Sequence, residues 1–328
     1  MSGTWHRTCL LRPVADMAES GTPRATSRLA AVRAERAKQA LKSAVYRTIG
    51  EIANGSGALD GEAARTLRVL MYHKVNRQPG NPVTVPPERF EAQMSLLQRL
   101  GYTVVGLDAV LAYYLDGAPL PPRAVLITFD DGYEDNLENA LPILERFGYP
   151  AVLFVPLGYV GESRPLPHDE SLLERGIVNP TLDWDQLLEL ERRGVRIESH
   201  GISHVPLAEL DVGEAAREIA ISKLRLEERL GREVRAFAYI KGSLAHFQPV
   251  HLSLLRQAGY DLGFTSVSGA NGVDTDPFQL RRYNVEPYSA RTFELVLRGA
   301  CDLIAFKDTV AGTHARRVFN AALGTQTK

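Results

Sequence analysis

The sequence predicts an α/β protein built as a (β/α) barrel, and three observations carry that reading. Short runs rich in Val, Ile, Leu and Phe recur at 67–72, 124–129, 151–156, 195–199, 236–239, 261–265 and 302–306. These runs are apolar on both faces, as strands covered from both sides must be. Helical patterns fall between them, at 87–100, 107–115, 140–147, 184–193, 212–230, 251–258 and 290–299. Strand–helix alternation of this kind gives mostly parallel strands with helices outside. Seven or eight such units in about 240 residues suit a closed barrel better than an open sheet, and either architecture gathers chemistry at the C-terminal ends of the strands.

Taken in chain order, the first run leads directly into His73, and the run at 124–129 ends in Asp130-Asp131-Gly132-Tyr133. Pro142 falls in the first turn of its helix, where a missing N–H costs little. The run from 151 stops at Pro156, and the run at 195–199 leads into His200. In the helix at 212–230, Ala216, Ile219, Ala220 and Leu224 follow the i, i+3, i+4, i+8 spacing and are expected to face the core.

Composition narrows the function classes. The 328 residues carry 38 Lys and Arg against 39 Asp and Glu, a formal net charge of −1 that argues against nucleic acid as a partner. With 45% hydrophobic and 23% charged residues the chain is of ordinary globular composition. Its two cysteines, Cys9 and Cys301, make neither a disulfide framework nor a Cys-rich zinc site. No secretory pattern is visible near the N-terminus, and no apolar run nears the roughly 20 residues that span a bilayer, so a cytoplasmic location is expected. Residues 1–65 read as a separate, partly helical extension. Its first 50 residues hold Arg7, Arg12, Arg24, Arg28, Arg33, Arg36, Lys38, Lys42 and Arg47 against Asp16, Glu19 and Glu35. That segment is expected to be a solvated helix, with peripheral contact to acidic lipid headgroups as the alternative. A Gly-rich linker at 54–61 separates it from a catalytic domain at 66–310, and 311–328 form a tail.

Two clusters carry chemistry. Adjacent carboxylates at a strand end repel each other unless a cation is present. A divalent metal relieves that conflict, with one aspartate as ligand and the other free to act as a base, although Asp-Asp-Gly alone is also a common turn. The second cluster is His200-Gly201-Ile202-Ser203-His204. Imidazoles at i and i+4 converge on one ion if the segment is helical. With one aspartate they form a two-His, one-carboxylate set that leaves positions open for water and substrate.

Together, Thr128-Phe129-Asp130-Asp131-Gly132-Tyr133 and His200-Gly201-Ile202-Ser203-His204 resemble the polysaccharide deacetylases, the NodB-homology fold of carbohydrate esterase family 4. The resemblance covers about 66–306 and implies a distorted (β/α) barrel of NodB type and a metal-dependent deacetylase. It implies Asp130 as catalytic base and Asp131, His200 and His204 as metal ligands. The metal would be zinc first, with cobalt, nickel or iron as alternatives. Three places depart from the family pattern. Gly201 stands where a hydroxyl residue is usual. The third motif reads Tyr239-Ile240-Lys241-Gly242, with the backbone N–H of Lys241 expected at the oxyanion and Tyr239 beside it. The C-terminal Leu-x-His is missing. Instead His73 ends the first strand, an arrangement similar to the permuted poly-N-acetylglucosamine deacetylase branch, where a His there is the general acid. His246, four residues beyond Gly242, is the second candidate for that role. His168 and His251 are expected to be loop or surface residues, and Tyr133, Tyr159 and Trp184 to pack rather than line a sugar subsite.

The expected function is therefore hydrolysis of the N-acetyl group of an N-acetylated sugar, oligosaccharide or glycan precursor. A catalytically impaired carbohydrate-binding relative and an O-acetyl esterase are the alternatives. A phosphotransferase with an aspartyl nucleophile fits poorly, because Gly132 stands where Asp-x-Asp chemistry needs a second carboxylate.

Overall fold

The computed structural model describes residues 66–78 and 83–299 together with Ala44, Thr48 and Asp302. Those three apart, the N-terminal extension, the strand expected at 302–306 and the tail lie outside the described residues. Among the described residues, eight strands form one sheet: β1 Arg68–Tyr72, β2 Thr103–Val104, β3 Ala124–Asp130, β4 Ala151–Val155, β5 Val195–Ser199, β6 Ala236–Ala238, β7 Leu262–Phe264 and β8 Tyr283–Asn284. Their order is β7-β6-β5-β4-β3-β1-β8, with β2 beside β3, and every pairing is parallel. Leu280 bridges to Phe264 at the end of β7 while β8 pairs with β1. The segment 280–284 thus links the two ends of the sheet and curls it into a distorted barrel.

The helices are α1 Pro87–Arg99, α2 Leu107–Leu115, α3 Leu141–Phe147, α4 Glu170–Leu173, α5 Trp184–Arg192, α6 Val212–Leu230, α7 Pro249–Gln257 and α8 Ala290–Leu297. Several starts are written in the sequence. Asp183 and Asp211 form capping boxes with Gln186 and Glu214, and the Ser289 side chain accepts from the Thr292 N–H. None of these helices is long and apolar enough to cross a membrane.

Side chains alternate across each strand, so two apolar layers result. Leu70, Ile127, Leu153 and Ile197 pack outward with the helices. Val69, Leu126, Val152, Phe154, Ala238 and Phe264 fill the inside. Each fully buried Leu, Ile or Phe contributes roughly 1.5–3 kcal/mol, enough in sum to carry polar groups at the barrel's end. The inner parity of β3 runs Ala124, Leu126, Thr128, Asp130, so the same period that builds the core turns Asp130 into the barrel mouth.

Three expectations need correction. The buried face of α6 is Ala215, Ile219, Ser222 and Leu226, whereas Leu224 is exposed and Ala220 also points outward. The stripe was disguised because its third member is a serine, whose hydroxyl bonds that of Ser199 on β5 at 2.9 Å. The helix expected from 140 is preceded by a π-helical segment, Asn136–Ala140, which closes with the Leu141 N–H on the Asn136 carbonyl. Two strands, β2 and β8, were not expected, since two residues each make no periodic signal.

Candidate active site

Because all the strands are parallel, His73, Asp130, Asp131, His200 and Lys241 leave β1, β3, β5 and β6 at the same end. They line one cleft of about 530 Å³ with His168, His204 and Arg282, a size typical of small-molecule sites. Register accounts for the grouping: Tyr72 pairs with Phe129, and Val155 with Ser199.

Asp131 is held in the left-handed region at φ 79°, a conformation that costs a non-glycine residue on the order of 1–3 kcal/mol. Its N–H donates to the Phe154 carbonyl at 3.0 Å. Gly132 follows at φ 69° and lies so near Val155 that an added Cβ would stand 3.1 Å from its Cγ1. This tight turn swings Asp131 toward the two histidines. Its Oδ1 lies 3.0 Å from His204 Nε2 and 3.6 Å from His200 Nε2, and its Oδ2 is buried without a hydrogen-bond partner.

Convergence of the segment 200–204 through i, i+4 spacing would require it to be helical. It is not helical. Gly201 at φ 73° and His204 at φ 57° instead turn the chain back, and Glu218 of α6 accepts the N–H groups of Ile202 and Ser203 at 2.7 and 3.0 Å. A side chain at position 201 would press on Glu218 Oε2 at 3.2 Å, which accounts for glycine where the family has a hydroxyl residue.

The donor set fits a divalent metal. Carbonyls only accept, so the 2.8 Å contact between His200 Nδ1 and the Ala238 carbonyl fixes the proton on Nδ1 and leaves the Nε2 lone pair bare toward Asp131. Burial draws the His200 imidazole down to a pKa of about 4, so it is neutral at physiological pH. Burial opposes ionisation of Asp131, but the charge and hydrogen bond of His204 more than offset it and hold the carboxyl well below its ordinary value. One ligand atom from each of Asp131, His200 and His204 lies within 4.8 Å of the others, the one such set among the described residues.

Asp130 ionises for a different reason. Arg282 grips it in a bidentate pair, Nη1 to Oδ1 at 2.7 Å and Nη2 to Oδ2 at 2.8 Å. Burial would raise its pKa, and the guanidinium overrides that and keeps it below the usual range. Sequence reasoning missed Arg282, because its partner is 152 residues away and nothing local sets it apart from Arg281.

His73 lines the cleft with its Nδ1 buried and unbonded, and its own carbonyl is held by Asn136 Nδ2 at 2.8 Å. His246 is spent elsewhere: its Nδ1 meets Ser243 Oγ at 2.8 Å, and it does not line the cleft. The Tyr239 ring is buried against Phe247, with centroids 4.3 Å apart, and its hydroxyl donates to the Phe278 carbonyl at 3.0 Å. Tyr239 therefore serves the wall of the cleft. Lys241, at φ 57°, reaches Glu209 with Nζ at 3.7 Å on the rim. Tyr133 and Tyr159 are buried, as packing residues would be. His168, expected to be a loop or surface residue, is half-exposed in a short 3-10 turn and also has a place at the site. It lines the cleft, and its Nε2 lies 3.5 Å from Asp131 Oδ2.

Comparison with known proteins follows the same lines. The polysaccharide deacetylase family model matches residues 117–263. A Bacillus subtilis (strain 168) protein described as a polysaccharide deacetylase, YxkH, is 32% identical over 69% of this chain and 74% of its own length. The poly-β-1,6-N-acetyl-D-glucosamine N-deacetylase of Escherichia coli (strain K12) is 26% identical over 63% of this chain, which spans only 35% of that protein. Among solved structures, IcaB from Ammonifex degensii superposes with a TM-score of 0.61 at 25% identity, over 72% of this chain and 97% of its own. The Streptococcus pyogenes deacetylase PplD has the same fold, with a TM-score of 0.61 at 22% identity, over 71% of this chain and 99% of its own.

Proposed function

The chain belongs to the polysaccharide deacetylase family, and from that premise we propose that it removes the acetyl group from an N-acetylated sugar, oligosaccharide or glycan precursor. In this reading Asp131, His200 and His204 hold a divalent metal, zinc before cobalt, nickel or iron. The observation that carries the proposal is the convergence of those three ligand atoms beside a second buried carboxylate, Asp130, which is ionised by another partner.

When bound, the metal supplies Lewis-acid polarisation of the acetyl carbonyl and a water of lowered pKa. The protein's own groups do the rest. Asp130, kept ionised by Arg282, takes the proton of the attacking water. The backbone N–H of Lys241, on the cleft wall, stabilises the developing oxyanion. His73, at the exit of β1 beside the β3 strand that carries Asp130, gives its proton to the departing amine. The N-deacetylase relative makes N-acetylglucosamine oligomers the first substrates to assay. Residues 66–310 are assigned to catalysis and 1–65 to an accessory role.

The test couples metal content to turnover. Purified protein loaded with Zn²⁺ should bind about one ion per chain and release acetate and free amine in equal amounts from N-acetylglucosamine oligomers. His204→Ala should lose most of the metal, because a three-ligand site tolerates the loss of one ligand poorly. Full metal occupancy in that variant would refute the ligand assignment. Metal retention with no acetate from any glycan would support the impaired, binding-only relative instead.

A further inference from the structure

His168 sits in a 3-10 turn, Pro167–Asp169, just before α4, and an unusual amount of buried chemistry holds that loop in place. Lys74, the residue after His73, is completely buried and pairs with Asp169 Oδ1 at 2.6 Å. Asp169 Oδ2 accepts from the Tyr133 hydroxyl at 2.9 Å and from Asn179 Nδ2 at 3.0 Å. A buried lysine is tolerated only when paired and satisfied, so this cluster staples the loop to the strand ends that carry His73 and Asp131.

The cluster also fixes the proton of His168. Since the Tyr133 hydroxyl donates to Asp169, its oxygen is left to accept. The 2.6 Å contact between that oxygen and His168 Nε2 therefore places a hydrogen on Nε2. The same nitrogen stands 3.5 Å from Asp131 Oδ2, the buried oxygen that has no partner of its own. An unpaired buried carboxylate oxygen costs free energy, and His168 Nε2–H, which the Tyr133 oxygen accepts in this structure, reaches it when the imidazole turns from Tyr133 toward Asp131.

We infer that His168 is a positioning residue: its Nε2–H anchors the outer oxygen of Asp131 and so keeps Oδ1 aimed between His200 and His204. The inference rests on the metal reading proposed above, and it concerns how tightly the ion is held. Groups that orient a ligand from outside the coordination sphere typically alter metal affinity 10- to 100-fold.

The experiment titrates the metal-free, full-length protein with Co²⁺ against a competing chelator and records the visible spectrum of the bound ion. His168→Leu should weaken Co²⁺ binding by about 10- to 100-fold and change the spectrum. His168→Gln, whose amide N–H reaches the same oxygen, should recover most of the affinity and the wild-type spectrum. A merely structural role predicts no such rescue. The side chain of His168 is 38% exposed, so neither change leaves a core cavity, and equal melting temperatures of the metal-free proteins verify this. If His168→Leu does not fold, His168→Asn, too short to reach Asp131, serves in its place. Co²⁺ affinity of His168→Leu equal to wild type overturns the inference while leaving the metal site intact. Failure of the wild-type protein itself to bind Co²⁺ refutes the metal reading and this inference with it.

Discussion

Asp130 and Asp131 are neighbours in sequence, both buried, and each is charged because of a different partner. Asp130 owes its charge to Arg282 and Asp131 to His204, and the proposed function gives each a separate role. The different roles proposed for His73 and His246 rest on the same kind of local accounting. His73 lies in the cleft with an unbonded buried nitrogen, whereas His246 is tied to Ser243. His73→Ala should therefore keep its metal yet lose about 10²- to 10⁴-fold in amide deacetylation, the usual worth of a positioned acid. An activated acetate ester, whose leaving group needs no proton, should suffer much less. His246→Ala should leave the amide rate nearly intact. Reversal of the two variants' effects would move the acid to the segment after Gly242. At this scale the Asp, His and His of the site were legible, because they stand beside strand ends within short motifs. Arg282, Lys74 and His168 were not, since each acquires its role from a partner on a distant segment.

Secondary-structure elements explain why the site's spacing misled. His200 and His204 are four apart, as on a helix, but they converge through two left-handed turns braced by Glu218 from α6. The long strands were readable because β3 and β4 are apolar on both faces. The face of α6 was not, because a serine bonded to Ser199 interrupts its stripe. The brace also yields a counterintuitive expectation. Restoring the family's hydroxyl residue with Gly201→Ser should destabilise this protein, not improve it. Position 201 has φ 73°, and its Cβ would approach Glu218 Oε2 to 3.2 Å. Left-handed backbone costs a non-glycine residue on the order of 1 kcal/mol or more, and displacement of Glu218 would add to that. Thermal unfolding should show a fall of a few degrees together with weaker metal binding. An unchanged melting temperature would mean that the loop relaxes freely and that Glu218 is no brace.

For the whole molecule, the parallel sheet gathers charged side chains at the barrel mouth, and stability must reflect that. Asp135 is the clearest case. It ties the exit of β1 to the exit of β3, with Oδ1 accepting from the Val75 N–H at 2.9 Å and Oδ2 from Asn76 Nδ2 at 2.6 Å. Burial raises its carboxyl to a pKa of about 6, in spite of those bonds, against about 3.9 in an unfolded chain. Below about pH 4 the group is protonated in both states and costs nothing, whereas above about pH 6 it is ionised in both and its burial is fully felt. Stability attached to Asp135 is thus present at low pH and lost as pH rises between those values. Each pH unit crossed in that window removes about 1.4 kcal/mol, or roughly 3 kcal/mol in all. Asp135→Asn cannot ionise, and so escapes the loss. Measured against wild type, its melting temperature should gain from pH 4 to about pH 6 and level off by pH 7, by roughly 6–12 °C in all at about 2–4 °C per kcal/mol. Taking the difference between the two proteins cancels every other titrating group. A difference that stays flat over that range would show that Asp135 is already ionised at pH 4, with its donors outweighing its burial.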